Sequence, residues 1–336
     1  MEFTTIKITK EQILEKFSSY FREWLHTNYY QNYAKIGKDG DFYTAVSVGS
    51  LFGATVAKKI YSLKDEYDGK INLVEIGANE GYLMADIIQG LYAFMPNLRD
   101  KFNFIIIEPH KKLQELQQEF LHSKFGDEIE IKWLDSVEKM EFKSAIYIAN
   151  ELFDSFECEL FNDGLMAYVK NGKLVWQKTD KECLNFAITY GIKKGELPLS
   201  LEKFIKNCCK NRAKFDFITF DYGEWEPRGD FSLRVYKNHN VYNFFEIENL
   251  NEFFGKSDIT YDLNFSLLSS LFCKNKGVRK VAFMSQPRAL IEFGVGEVME
   301  LLAAKGELAY KNGTLQLKRL LYEFGDKFKM IHFEKR

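Results

Sequence analysis

The sequence predicts an α/β protein: a doubly wound, mostly parallel sheet of seven strands that carries antiparallel β and helical insertions. Three observations predict it. Short apolar runs alternate with amphipathic stretches from residue 71 to residue 149, the pattern of strands buried on both faces beneath crossover helices. The first run ends in a glycine turn, Gly77-Ala78-Asn79-Glu80-Gly81, of the kind that joins a strand to a helix. Beyond residue 150 the alternation gives way to hairpin signals, Asp163-Gly164 and Asn171-Gly172, so the sheet is interrupted by antiparallel structure.

The elements follow in order. Thr9 and Gln12 form a capping-box pattern that opens a helix with Ile13, Leu14, Phe17, Phe21, Trp24 and Leu25 at helical spacing. The polar, tyrosine-rich stretch 27–45 reads as a loop, and a helix follows over 46–62. The core alternation is strand 71–76, helix 82–94, strand 102–107, helix 110–121, strand 128–133, a loop and strand 144–149. Hairpins occupy 157–178, and the second half of 183–212 is helical. Strand 215–221 resumes the core, 222–262 is irregular or β-rich, and a helix over 264–275 leads to strand 278–284. A helix over 287–304, a short excursion and a strand over 328–333 complete the chain. The insertions enter after the fourth and fifth core strands, at the carboxyl ends where open α/β sheets bind ligands.

The totals exclude several classes. With 336 residues, 46% hydrophobic and 28% charged, the chain is long enough for one large domain or two of average size. A net charge of −2 gives no reason to expect nucleic acid or an anionic membrane as partner. No apolar run reaches the ~20 residues that span a bilayer, and the N-terminus lacks a signal-peptide pattern, so the expectation is a cytoplasmic protein without membrane insertion. The five cysteines form no Cys-x-x-Cys pair and the five histidines have no metal-ligand spacing, so reduced thiols and no metal are expected.

The candidate chemistry lies at the strand ends. Glu75 precedes the glycine turn, whose glycines stand four apart. This is not the dinucleotide pattern Gly-x-Gly-x-x-Gly, because the middle position is Asn79 and Met84 stands where a third glycine belongs. It is closer to the turn with which class I methyltransferases hold S-adenosyl-L-methionine. Another nucleotide, or a purely structural turn, stays open on these residues alone. Glu108 ends the second strand, where a carboxylate accepts both hydroxyls of a ribose. Asp135 and Ser136 follow the third strand, placed to meet an adenine amino group or to make an ordinary turn. Asn150, Glu151 and Asp154 follow the fourth. Two carboxylates three residues apart suit a cationic guanidinium, or a helix N-terminus.

With these segments in place, the chain resembles the MidA-type S-adenosyl-L-methionine-dependent methyltransferases, which include mitochondrial protein-arginine methyltransferases that act as assembly factors for respiratory complex I. The resemblance rests on Gly40-Asp41-Phe42-Tyr43-Thr44 with Phe52-Gly53, on Glu75 to Gly81 with Leu83 and Asp86, on Glu108-Pro109, on Trp133-Leu134-Asp135-Ser136, on Ala149-Asn150-Glu151-Leu152-Phe153-Asp154, on Asp221-Tyr222-Gly223, and on Ser257-Asp258-Ile259-Thr260 with Asp262 and Phe265. The chain departs from the family at Thr44-Ala45-Val46, where Thr-Ser-Pro is usual, and at the turn, where Gly-Pro-Gly-x-Gly is usual.

The resemblance implies a Rossmann-like class I methyltransferase core over 67–336, interrupted at about 155–213 and 222–277, with an N-terminal helical segment, 1–66, over the cofactor site. It implies that Thr44, Glu75, Gly77, Ala78, Asn79, Gly81, Glu108, Asp135, Ser136 and Asn150 hold S-adenosyl-L-methionine. Glu151 and Asp154 would carry the catalysis, and Tyr43 and Tyr222 would line the substrate channel. The implied acceptor is an arginine of a protein such as a respiratory complex I subunit. The competing expectation is a non-catalytic assembly or scaffold protein on the same fold.

Overall fold

The computed structural model describes residues 14–33, 45–210, 212–323 and 325–336. The chain divides into two compact units: Met1–Ala34 with Ser155–Lys203 and Glu226–Asp262, and Lys35–Asp154 with Phe204–Trp225 and Leu263–Arg336. Thr9, Gln12 and the segment from Gly40 to Thr44, with Tyr43, lie outside the described residues.

The second unit holds the doubly wound sheet. Its strands are β1 (Ile71–Ile76), β2 (Phe102–Ile107), β3 (Ile131–Leu134), β4 (Ser144–Asn150), β5 (Lys214–Glu224), β6 (Val278–Ser285) and β7 (Phe328–Lys335). Their order across the sheet is β3-β2-β1-β4-β5-β7-β6. Neighbours from β3 through β5 are parallel, and β7 runs antiparallel to both β5 and β6. The chain winds outward from β1 to β3, then returns to place β4 on the other side of β1. That reversal opens a crevice at the carboxyl ends of β1 and β4.

Helices α1 (Leu51–Leu63), α2 (Tyr82–Phe94), α3 (Lys111–Phe125), α4 (Phe265–Cys273), α5 (Gln286–Glu292), α6 (Val295–Lys305) and α7 (Glu307–Tyr322) complete this unit. One core cluster gathers Phe52, Val56 and Ile60 of α1, Ile87 and Leu91 of α2, and Leu73, Ile106, Ile148 and Phe220 of the sheet. Helices α1 and α2 touch closely at Gly90, where an added Cβ would stand 2.7 Å from Ala57 Cβ and 2.9 Å from Ala54 Cα. Only a residue without a side chain allows the two backbones this distance.

The first unit has its own core, built from Phe17, Phe21, Trp24 and Tyr29 against Leu160, Val169, Val235 and Ile259. Its hairpins run Glu159–Asn162, Leu165–Lys170 and Lys173–Lys178, turning at Asp163-Gly164 and Asn171-Gly172 with all four residues at positive φ. A second, three-stranded antiparallel sheet comprises Arg234–Lys237, Asn240–Asn243 and Asp258–Thr260.

Three expectations need correction. Residues 27–33 are not loop but belong to a π-helix, Glu23–Tyr33. Leu25 and Tyr29 are both buried there four residues apart, continuing the buried stripe of Phe17 and Phe21. The stretch 183–212 is not helical in its second half alone, because a helix over Lys181–Thr189 precedes the one over Ser200–Cys209. The carboxylate of Asp180 starts the first of these by accepting the Cys183 N–H at 2.9 Å. The excursion before the last strand is the sixteen-residue α7. Its Gly313, Leu317 and Leu320 turn toward the core, but Leu308, Leu315 and Tyr322 are exposed, so its apolar residues fall on both sides and blur the helical pattern.

Candidate active site

The glycine turn sits where β1 meets the crevice. Gly77, Asn79 and Gly81 have φ of 73°, 47° and 86°, three left-handed residues within five. Asn is the side-chain-bearing residue that tolerates this region best, so Asn79 replaces a glycine without loss of the turn. The Gly81 N–H donates to the Ala78 carbonyl at 2.7 Å, and the Gly81 carbonyl accepts the Ala85 N–H at 3.1 Å. Gly81 is thus the N-cap of α2, and the positive end of that helix faces the turn. A Cβ at Gly81 would come 3.3 Å from Leu121, so α3 backs the turn.

Glu75 lies beneath it, buried in β1. One carboxylate oxygen accepts the Met84 N–H, which ties the strand to the first turn of α2. The other, Oε2, has no partner among the described residues. Burial pushes this carboxyl up to about 8, and the charges of Asp86 and Glu108 push the same way. Burial also raises Asp86 to about 7.

Glu108 stands at the end of β2, next to β1, and is 3% exposed. Its Oε1 accepts the His110 N–H at 3.0 Å, and its Oε2 accepts from Gln117 Nε2 at 3.3 Å. Burial raises it to about 7 although both hydrogen bonds oppose the shift. The Glu108 N–H donates to the Leu134 carbonyl at 2.9 Å, which brings the β3 end alongside. There Asp135 is exposed and paired with Lys139 at 2.6 Å, so its carboxylate already has a cation. Ser136 opens the short 3₁₀ turn Val137–Lys139.

Across the crevice, Asn150 ends β4. Its Nδ2 donates to Glu151 Oε1 at 3.1 Å, while its Oδ1 has no partner among the described residues. Glu151 has φ 50°, a conformation that costs a residue with a side chain about 1–3 kcal/mol and that persists where neighbours enforce it. Asp221 does so. It is fully buried within β5, and its carboxylate accepts the N–H groups of Phe153 at 2.8 Å and Tyr222 at 2.9 Å, and that of Asp154. Burial and the neighbouring Glu151 charge push its carboxyl well above the usual range. Asp154 is buried in the single 3₁₀ turn Phe153–Ser155. The ring of Tyr222 packs edge-on against Phe328 at 4.6 Å.

The structure therefore gathers Glu75, Gly77, Ala78, Asn79, Gly81 and Glu108 around the turn, and Asn150 and Glu151 on the adjoining strand end. Thr44 and Tyr43 fall outside the described residues. Two positioning side chains carry no motif that names their work. Asp221 is visible in sequence only as part of Asp-Tyr-Gly. Gln117 shows one signal: a polar residue between Leu113 and Leu121 on the buried face of α3.

These residues fit a nucleoside that carries an amino group and a positive charge. Among the described residues Glu75 Oε2 and Asn150 Oδ1 are buried acceptors without donors, Glu108 offers a carboxylate to a diol, and three carboxyls with raised affinity for protons, Glu75, Asp86 and Glu108, lie near the turn. Among the described residues no group of side chains has the make-up of a metal site, and no helix is long and apolar enough to cross a membrane.

Comparison with known proteins agrees. Residues 52–284 match the family model Methyltransf_28, "Putative S-adenosyl-L-methionine-dependent methyltransferase". A COG1565 superfamily member from Burkholderia thailandensis, solved with S-adenosyl-homocysteine bound, superposes with a TM-score of 0.80 at 20% identity, over 96% of this chain and 88% of that one. A native structure of a COG1565 superfamily protein from the same organism gives a TM-score of 0.79 at 22% identity, over 96% and 87%. These likenesses establish the shared fold.

Proposed function

Because the chain belongs to the MidA-type family of S-adenosyl-L-methionine-dependent methyltransferases, we propose that it transfers the methyl group of that cofactor to an arginine side chain of a protein substrate. The observation that carries the reading is Glu151. A half-buried carboxylate stands at the switch point of the sheet, on a strained backbone that Asp221 holds in place.

The cofactor supplies a methyl group on a sulfonium, a leaving group that needs no protonation. The protein's part is then positioning and charge. The turn from Gly77 to Gly81, with Glu75 below it, would hold the amino-acid end, and Glu108 would take the ribose hydroxyls. Asp135 and Ser136 would meet the adenine end, with Asp135 giving up its pair with Lys139. Glu151 accepts two N–H groups of a guanidinium, the bidentate geometry arginine favours, and Asp154 supports the same charge. Glu151 would hold the guanidinium in place by this pairing and would take the proton that the methylated nitrogen loses. Tyr43 and Tyr222 would flank the substrate's path. A respiratory complex I subunit is the acceptor to examine first, by mass-spectrometric comparison of arginine methylation with and without this protein.

The test is Glu151→Gln. Methyl transfer falls by two orders of magnitude or more while calorimetric affinity for S-adenosyl-L-methionine stays within twofold. Full activity in this variant would sink the assignment. The competing reading, a scaffold without catalysis, draws on the departure at the turn, and an absence of cofactor binding at millimolar ligand would favour it.

A further inference from the structure

We propose that Gln117 is the positioning residue of the cofactor site: its side-chain amide sets the Glu108 carboxylate for the ribose hydroxyls and keeps the Asn79 turn in shape. The proposal rests on the placement of the nucleoside at Glu108 given above.

Gln117 lies on α3, fully buried. Its Nε2 donates to the Asn79 carbonyl at 2.7 Å and to Glu108 Oε2 at 3.3 Å, and its Oε1 accepts the Trp133 indole N–H at 3.0 Å. The three partners belong to the glycine turn, the end of β2 and the end of β3, the three places where the nucleoside is expected to be held. The amide's orientation follows from its partners. An indole N–H only donates and a carbonyl only accepts, so the oxygen must face Trp133 and the nitrogen must face Asn79. Few uncharged side chains give two donors and an acceptor at once. A leucine here leaves the Asn79 carbonyl and the indole N–H without partners. A glutamate keeps the acceptor for Trp133 but sets a second carboxylate against Glu108 and the Asn79 carbonyl.

Glu108 depends most on this arrangement. Its two hydrogen bonds come one to each oxygen, from its own loop at His110 and from Gln117. The first cannot fix the plane of the carboxylate alone, and the second completes it. The turn gains equally. Asn79 is the one residue in it with both a side chain and a left-handed backbone, and its carbonyl is held from behind by α3. The chain replaces the usual glycine at this point, and Gln117 supplies from a neighbouring helix the constraint that keeps the peptide in place.

The test combines calorimetry with S-adenosyl-homocysteine, methyl-transfer kinetics and Trp133 emission, taken as the difference from Trp133→Phe in each background. For Gln117→Leu we expect affinity weakened about tenfold or more, KM for S-adenosyl-L-methionine raised in step, kcat at saturation within about twofold, and a shifted Trp133 emission. For Gln117→Glu we expect the same loss of affinity with Trp133 emission retained. A merely structural residue would lower kcat and the folded fraction together and would not separate the two variants. If Glu108→Ala weakens binding and both Gln117 variants bind as wild type, the proposal is overturned while the cofactor placement stands. If Glu108→Ala itself binds as wild type, the placement fails and takes the proposal with it.

Discussion

Affinity for the cofactor should depend on pH through Glu108. Burial raises its pKa to about 7, against about 4.3 in an unfolded chain. At pH 8 the carboxyl is then roughly nine-tenths ionised, and at pH 6 roughly one-tenth. The ionised form accepts both ribose hydroxyls, whereas the protonated form has one oxygen committed as a donor. The apparent Kd for S-adenosyl-homocysteine should therefore rise about tenfold between pH 8 and pH 6. Stability of the free protein runs the opposite way. A carboxyl whose folded pKa is raised contributes stability that is fully present below about pH 4.3 and is lost as pH rises through 7. Glu75, at about 8, and Asp86, at about 7, act in the same sense. The free protein should thus melt at lower temperature at pH 8 than at pH 5, in the range where it binds its cofactor best. Isothermal titration at pH 6, 7 and 8 on wild type and Glu108→Gln measures the first effect. Glu108→Gln should bind more weakly at pH 8 and lose the slope that Glu108 supplies. A wild-type Kd flat across this range, or an equal slope in both proteins, would refute the reasoning.

Two further outcomes follow from the structure. Asn79→Val places a β-branched side chain at φ 47°, which should cost about 1–2 kcal/mol of stability by denaturant titration and weaken cofactor binding, whereas Asn79→Gly should leave both close to wild type. At the other end of the sheet, Asp216 would be raised by burial but is held down to about 2 by hydrogen bonds from His332, Arg336 and Tyr67. Its contribution is present above about pH 4 and lost as pH falls through 2, about 2–3 kcal/mol at most, so Asp216→Asn should destabilise at pH 7 and flatten the acid limb of the unfolding curve.

The legible parts of this fold are those whose physics is local. β1 and β2 are mostly apolar runs, broken by Asn72 and Glu75 in one and by Asn103 in the other, and their bounds read directly because Gly77 and Pro109 close them and strands buried on both faces are nearly continuous in apolar residues. Asn79, between two glycines, takes a left-handed conformation that Asn tolerates better than other residues with side chains, so the turn is legible although its middle glycine is replaced. α7 was not legible, because its apolar residues fall on both sides: Leu317 and Leu320 turn inward, while Leu308, Leu315 and Tyr322 turn outward. Residues 27–33 of the π-helix over Glu23–Tyr33 read as loop because the stretch is polar and tyrosine-rich, although buried Tyr29 continues the four-residue spacing of Phe17, Phe21 and Leu25. The same division runs through the site. Glu75, Glu108 and Glu151 could be placed because each ends a strand, and strand ends are countable. Gln117 and Asp221 could not, because their shortest bonds are to backbone: the Asn79 carbonyl in one case, the Phe153 and Asp154 N–H groups in the other. Every residue but proline offers the same N–H and C=O, so a partner for one of them leaves no mark at the position that receives it. Such positioning residues become visible only when the fold supplies the distance, and here they stand behind the two most strained points of the crevice, Asn79 and Glu151.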